Sequence, residues 1–227
     1  MTPAQILSLS RPAARSIHEF CLLPAIGMHP DRVARLVPPA LRSCSPATRS
    51  AAIMAQLGIP QDLSLRLDEI PHRAALLPCA ALQALGRHLL LRAATPMLRR
   101  LIVKREIELL SPHLSEEDWG SVYGAPVPGP ARPLAEVPWA TQLDLLVQAL
   151  EHGATPIVEW ASYAMPASIG LRLRLKLPIG PWSGPRPEDG LVQACLSFLQ
   201  AHYSASGPGW DSRPWEALWT SAREEKV

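Results

Sequence analysis

The stretch Leu76–Trp119, LLPCAALQALGRHLLLRAATPMLRRLIVKREIELLSPHLSEEDW, decides the fold class, because apolar residues recur through it at helical spacing. Leu82, Leu85 and Leu89 fall on one face and Leu90 and Leu91 widen it, leaving a narrow polar strip of Gln83, Arg87, His88 and Arg92. A helix so extensively apolar belongs in the middle of a core. Ala94-Thr95-Pro96 reads as a break: Thr95 suits an N-cap and Pro96 a first helical position. A second helix is expected from there, with Leu98, Leu101, Ile102 and Leu109 inward and Arg100, Lys104 and Glu108 in water. Ser115-Glu116-Glu117-Asp118 then resembles a capping box opening a short helix that carries Trp119.

Outward from this block the chain continues as short amphipathic segments punctuated by proline. The 25 prolines are about twice the usual frequency, yet many stand where a helix begins: Pro30, Pro46 after Ser45, Pro156 after Thr155, and Pro214. Helices are expected over Ser16–Leu23, Pro30–Val37 and Pro46–Leu57, the last stopped by Gly58 in a left-handed conformation. Trp139, Leu143, Leu146, Val147 and Leu150 share one helical face ended by Gly153, and Thr155-Pro156 restarts a helix through Ile157, Trp160, Ala161 and Met165. Leu191 to Leu199 marks a late helix, and Trp215, Leu218 and Trp219 mark a terminal one at about 211–225. Residues 124–138, GAPVPGPARPLAEVP, cannot sustain a helix or a central strand and read as a strap.

One segment departs from helical periodicity. Leu171–Leu177, LRLRLKL, alternates strictly, predicting a strand with a leucine face and a cationic face of Arg172, Arg174 and Lys176. The alternation of Leu63, Leu65 and Leu67 offers a pairing partner. The expected fold is therefore mainly α, an irregular multi-helix single domain over residues 1–227 with at most a small two-stranded β element.

Charge and motifs bound the chemistry. With 22 basic and 20 acidic residues the chain lacks the basic excess that phosphate neutralisation demands, so nucleic acid is not expected as its main partner. The four cysteines, Cys21, Cys44, Cys79 and Cys195, are scattered, and Cys79 and Cys195 lie in apolar patterns, which fits reduced thiols in a cytosol. The N-terminus lacks the basic start and apolar run of a secretory signal, and Ala74–Leu91 is interrupted by Pro78, Gln83, Arg87 and His88 before it could span a bilayer. His18 and Cys21 share a helical turn, but His29, Cys44, His72 and Cys79 follow at irregular intervals, so no metal or other cofactor is expected. No P-loop, G-x-S-x-G elbow, H-E-x-x-H or dinucleotide-binding turn occurs. Glu116, Glu117 and Asp118 fit a first helical turn better than an acid/base pair. Seven tryptophans stand against two phenylalanines, with Trp182, Trp210, Trp215 and Trp219 late in the chain, while Trp139 and Trp160 suit a core.

The Leu-rich helix with Leu85-Gly86, the run Leu98-Arg99-Arg100-Leu101-Ile102-Val103, the Glu108–Leu110 end and the following Trp119 resemble the SctK (YscK, PscK) family, cytoplasmic accessory proteins of type III secretion machines. Leu171–Leu175 leading to Pro178 is a second patch of likeness, with weaker similarity over Ile17–Arg42 and Trp139–Met165. The spacer between Gly86 and Arg99 looks longer than in the family, and nothing from Trp182 onward matches. The resemblance implies a non-enzymatic adaptor of the cytoplasmic sorting platform, linking the SctQ pod protein to the SctD inner-membrane ring protein and held at that membrane's cytoplasmic face. Arg172, Arg174 and Lys176, read as an outward cationic stripe, and Trp215 and Trp219, read as aromatic anchors, are the expected protein-binding residues. The alternatives are a helical enzyme whose polar groups converge only in three dimensions, or a helix-turn-helix regulator built on Pro30–Leu57.

Overall fold

Proline at the first helical turn sets much of the architecture. In the computed structural model, which describes residues 11–60, 65–66, 68–101, 103–124, 134 and 137–203, every element is helical and no strand occurs among the described residues. The helices are α1 (Arg11–Leu22), α2 (Pro30–Leu36), α3 (Pro39–Arg42), α4 (Pro46–Gln56), α5 (Ile70–Leu76), α6 (Cys79–Leu98) and α7 (Lys104–Leu110). They continue with α8 (Glu116–Gly124), α9 (Pro138–Thr141), α10 (Leu143–Glu151), α11 (Pro156–Ala161), a 3-10 turn (Ser162–Ala164), α12 (Ala167–Leu175) and α13 (Asp189–His202). Helices α2 to α5 and α11 each carry proline in the first turn, where the missing N–H is an orphan in any case. Ser45 Oγ accepts from Thr48 N at 3.2 Å to cap α4. Gly58 ends that helix at φ +59°, so that Ile59 N can donate back to Met54 O at 2.9 Å.

The chain forms two compact units. Unit 1 takes the described residues up to Leu82 together with Met165–Pro178; unit 2 takes Gln83–Ala164 and the described residues from Ile179 onward. In unit 1, Ala25, Met28, Val37, Ile53, Ile59 and Leu175 form a buried cluster, with Val33, Leu41, Met54 and Leu171 packed on it. In unit 2, Leu85, Leu89 and Leu98 of α6 are buried, as are Leu146 of α10, Ile157 and Val158 of α11, and Val192, Cys195 and Leu199 of α13. Helix α11 packs along α13. Gly86 of α6 lies under the turn before α11: a Cβ there would stand 2.7 Å from Ala154 O and 2.9 Å from Thr155 Cγ2. That turn bends back through Gly153 at φ +85° and Ala154 at φ +54°.

Several sequence expectations require correction. The segment LRLRLKL is helical: α12 covers Leu171–Leu175 and Lys176 is its C-cap. Leu and Arg favour helix, the run contains no β-branched or aromatic residue, and burial around most of its circumference leaves no polar face to betray the period. Of the proposed partner strand, Leu65 and Arg66 are described and are not strand; Leu63 and Leu67 lie outside the described residues. The break at Ala94–Pro96 is absent. Thr95 Oγ1 donates back to Leu91 O at 2.8 Å instead of capping a new helix, and α6 runs through Pro96 to Leu98 before α7 begins at Lys104. As a result Leu109, expected inward, is 46% exposed while Leu110 is buried. The strap at 124–138 falls mostly outside the described residues, and Ile102, Trp210 and the terminal helix at about 211–225 with Trp215 and Trp219 lie wholly outside them.

Candidate functional site

The cationic stripe separates into residues with different environments. Arg172 and Lys176, four apart on α12, point together into unit 1 and are only 1% and 8% exposed, whereas Arg174, on another side of the helix, is half-buried. The expectation of three cations facing water is thus corrected, because a helix places residues i and i+4 on one side and i+2 away from them. Arg172 Nη1 donates to Ser168 O at 2.7 Å, and its Nη2 donates to Pro60 O at 3.0 Å and Cys21 O at 3.3 Å. Lys176 Nζ donates to Ala75 O and Leu77 O, both at 2.9 Å, and lies 4.9 Å from the centre of the Phe20 ring. The two cations therefore hold the C-terminal ends of α1 and α5, where helix dipoles present partial negative charge. Burial lowers the Lys176 pKa to about 8, partly offset by Cys79, Glu19 and Cys21, and burial also lowers that of Arg172.

These side chains border a pocket of about 300 Å³. Its apolar wall comes from Phe20, Pro24, Ile26, Leu76 and Pro78, and Glu19 adds a carboxylate that pairs with Arg15 at 2.7 Å. Cys79 also borders it, its thiol donating to Gly27 O at 3.1 Å. Burial raises the pKa of the Cys79 thiol, and raises that of Cys21 to about 11. Neither sulfur is a ready nucleophile at neutral pH. Arg172 Nε is buried with no hydrogen-bond partner among the described residues.

Unit 2 buries polar groups in a different way. The capping box expected at Ser115 is present: Asp118 N donates to Ser115 Oγ at 3.1 Å, and Asp118 Oδ2 accepts from Ser115 N at 2.9 Å. Arg87 of α6 donates to the same Oδ2 at 2.7 Å and also to His113 O, which ties α6 to the start of α8. Burial would raise the Asp118 pKa, but hydrogen bonds from Arg87 and Ser115 outweigh it and lower the pKa below the usual value. Asp118 thus completes both a capping box and an ion pair. Elsewhere, buried Glu159 accepts from Trp182 Nε1 at 3.1 Å and Ser183 Oγ at 2.8 Å, so Trp182 closes a core. Trp139 is buried with its ring centre 5.6 Å from that of Trp160. His88 is buried on α6, and burial, with the charges of Arg92 and His202, lowers its pKa to about 4.

Among the described residues no group of three or more His, Cys, Asp or Glu side chains is placed to hold a metal, and no helix is long and apolar enough to cross a membrane. No protein-family model, curated protein or solved structure matches this chain. Sequence reading missed Glu159 and the walls of the unit 1 pocket. Only the basic residues of the LRLRLKL run signalled the pocket, and they were assigned to the surface.

Proposed function

We propose that the chain is a non-enzymatic helical adaptor of a type III secretion machine, joining an SctQ-like pod protein to the cytoplasmic domain of an SctD-like inner-membrane ring protein. The observation that carries this reading is the exposure of large apolar side chains in the stretch that resembles the SctK family. Val103, immediately before α7, is 57% exposed, and Ile107 and Leu109 on that helix also face solvent. Exposed apolar residues beside charged Lys104, Arg105 and Glu108 form the kind of surface a protein partner covers. The polar clusters of unit 2 are consumed by caps and packing, which supports binding over turnover. Of the three cations assigned to partner contact, Arg174 is the one that is not fully buried, while Trp215 and Trp219 remain part of the proposal on sequence grounds.

Co-purification tests this reading. The tagged full chain is expected to retain the SctQ-like and SctD-like proteins of its own secretion machine, and Val103→Asp with Leu109→Asp should reduce recovery of at least one by about ten-fold without changing the melting temperature. Failure to retain either protein at low salt overturns the proposal.

A further inference from the structure

The pocket of unit 1 contains two buried cations whose hydrogen bonds all go to neutral backbone carbonyls. We propose that it binds a small amphipathic monocarboxylic acid, the carboxylate on Arg172 and Lys176 and the hydrocarbon chain against Phe20, Pro24, Ile26 and Leu76. This goes beyond the adaptor reading and does not depend on it.

Three features select that chemistry. First, a charge taken out of water is costly unless an opposite charge or several strong dipoles meet it, and the carbonyl contacts leave capacity unused. Arg172 makes three hydrogen bonds with its five N–H groups, and Lys176 makes two with its three. A carboxylate can accept from both side chains in charge-assisted bonds, which are stronger than those between neutral groups. Second, Glu19 on the lining repels a dianion such as a phosphate monoester more than a monoanion. Third, the remaining wall is apolar and the volume of about 300 Å³ lies at the small end of ligand pockets, which suits a short chain. Ile26, 45% exposed, belongs to both the lining and the surface, so the pocket opens to solvent there.

Calorimetric titration of the full chain with hexanoate, hexanol and inorganic phosphate tests the proposal. Expected is one hexanoate per chain with a Kd below about 1 mM, hexanol at least about ten-fold weaker, and no phosphate binding. Absence of saturable hexanoate binding, or equal affinity for hexanol, overturns it; tight phosphate binding with none for hexanoate does so too. Ile26→Glu, at the solvent-facing edge, should weaken hexanoate by about ten-fold or more while the melting temperature holds, and unchanged affinity places the acid elsewhere. A second readout needs no variant. Because an adjacent carboxylate favours the charged form of Lys176, whose pKa stands at about 8, binding at pH 8 should take up a fraction of a proton, visible as dependence on buffer ionisation heat. Hexanoate binding with no proton uptake at any pH from 7 to 10 removes the carboxylate from Lys176 and with it the proposal.

Discussion

The two units hold basic side chains against helix ends by opposite means, fully buried in unit 1 and half-buried in unit 2. In unit 1, Arg172 and Lys176 donate hydrogen bonds only to backbone carbonyls, at Ser168, Cys21, Pro60, Ala75 and Leu77. In unit 2, Arg87 meets a carboxylate, Asp118, which itself caps a helix. The carboxylate arrangement is local in logic, since S-E-E-D announces it and the arginine follows the helical pattern of α6. The carbonyl arrangement is mostly non-local: Ser168 lies one helical turn from Arg172, but the other four acceptors lie about 100 to 150 residues from their donors, at spans of 99, 101, 112 and 151 residues. Cations satisfied by main chain leave no complementary residue type in the sequence, so nothing marks them as internal.

The sharpest way to break this comparison is charge reversal on α12. Arg172→Glu and Lys176→Glu each place an anion against carbonyl oxygens in a buried site, and each is expected to destabilise the protein by about 3–5 kcal/mol or more. Arg174→Glu, two residues away on a half-buried side, should cost less than either. Urea denaturation of the three variants measures the difference; similar losses at all three positions would show that the buried and half-buried sides of α12 are not distinct.

A smaller effect sharpens the unit 2 side. Asp118→Ala leaves the Ser115 cap on α8 but removes the return bond from Ser115 N and leaves the Arg87 guanidinium without its anion, for a loss of about 2 kcal/mol, whereas Asp118→Asn should recover part of the return bond but not the charge pairing. The two variants compared at low and high salt separate the terms, because only the ionic part responds to screening.

The smallest effect is a pH dependence. The folded-state pKa of His88 is depressed to about 4 from 6.5, so the folded form stays neutral while the unfolded chain takes up a proton below pH 6.5. Its contribution to stability is complete above that pH and is lost as the pH falls towards 4; His72 and His202 shift in the same direction. Unfolding free energies at pH 7.5 and pH 5 should differ by about 1–2 kcal/mol from His88, and His88→Gln should flatten that slope. A slope unchanged by the substitution assigns the acid sensitivity to other groups.

These contrasts explain what the sequence made legible. Prolines located the starts of α2, α4 and α11, Gly58 located the end of α4, and Ser115 the start of α8, because each signal acts within one turn of chain. Thr95-Pro96 carried the same local signal and misled, because the Thr95 hydroxyl found the Leu91 carbonyl and α6 continued. Alternation in LRLRLKL misled for the opposite reason: periodicity reports the direction of solvent, and α12 has little. The pocket stayed invisible because Phe20, Leu76 and Lys176 meet only through tertiary packing.

The long reach of the Arg172 and Lys176 contacts has a bearing on synthesis. As the chain leaves the ribosome, the carbonyls of Cys21, Pro60, Ala75 and Leu77 emerge far ahead of the side chains that will satisfy them, with all of Gln83–Ala164 in between. Unit 1 begins first and is completed only after that long insertion has been made. Until α12 arrives, α1 to α5 lack their internal clamp, and this nascent half of the protein is the one that most needs shelter from its neighbours.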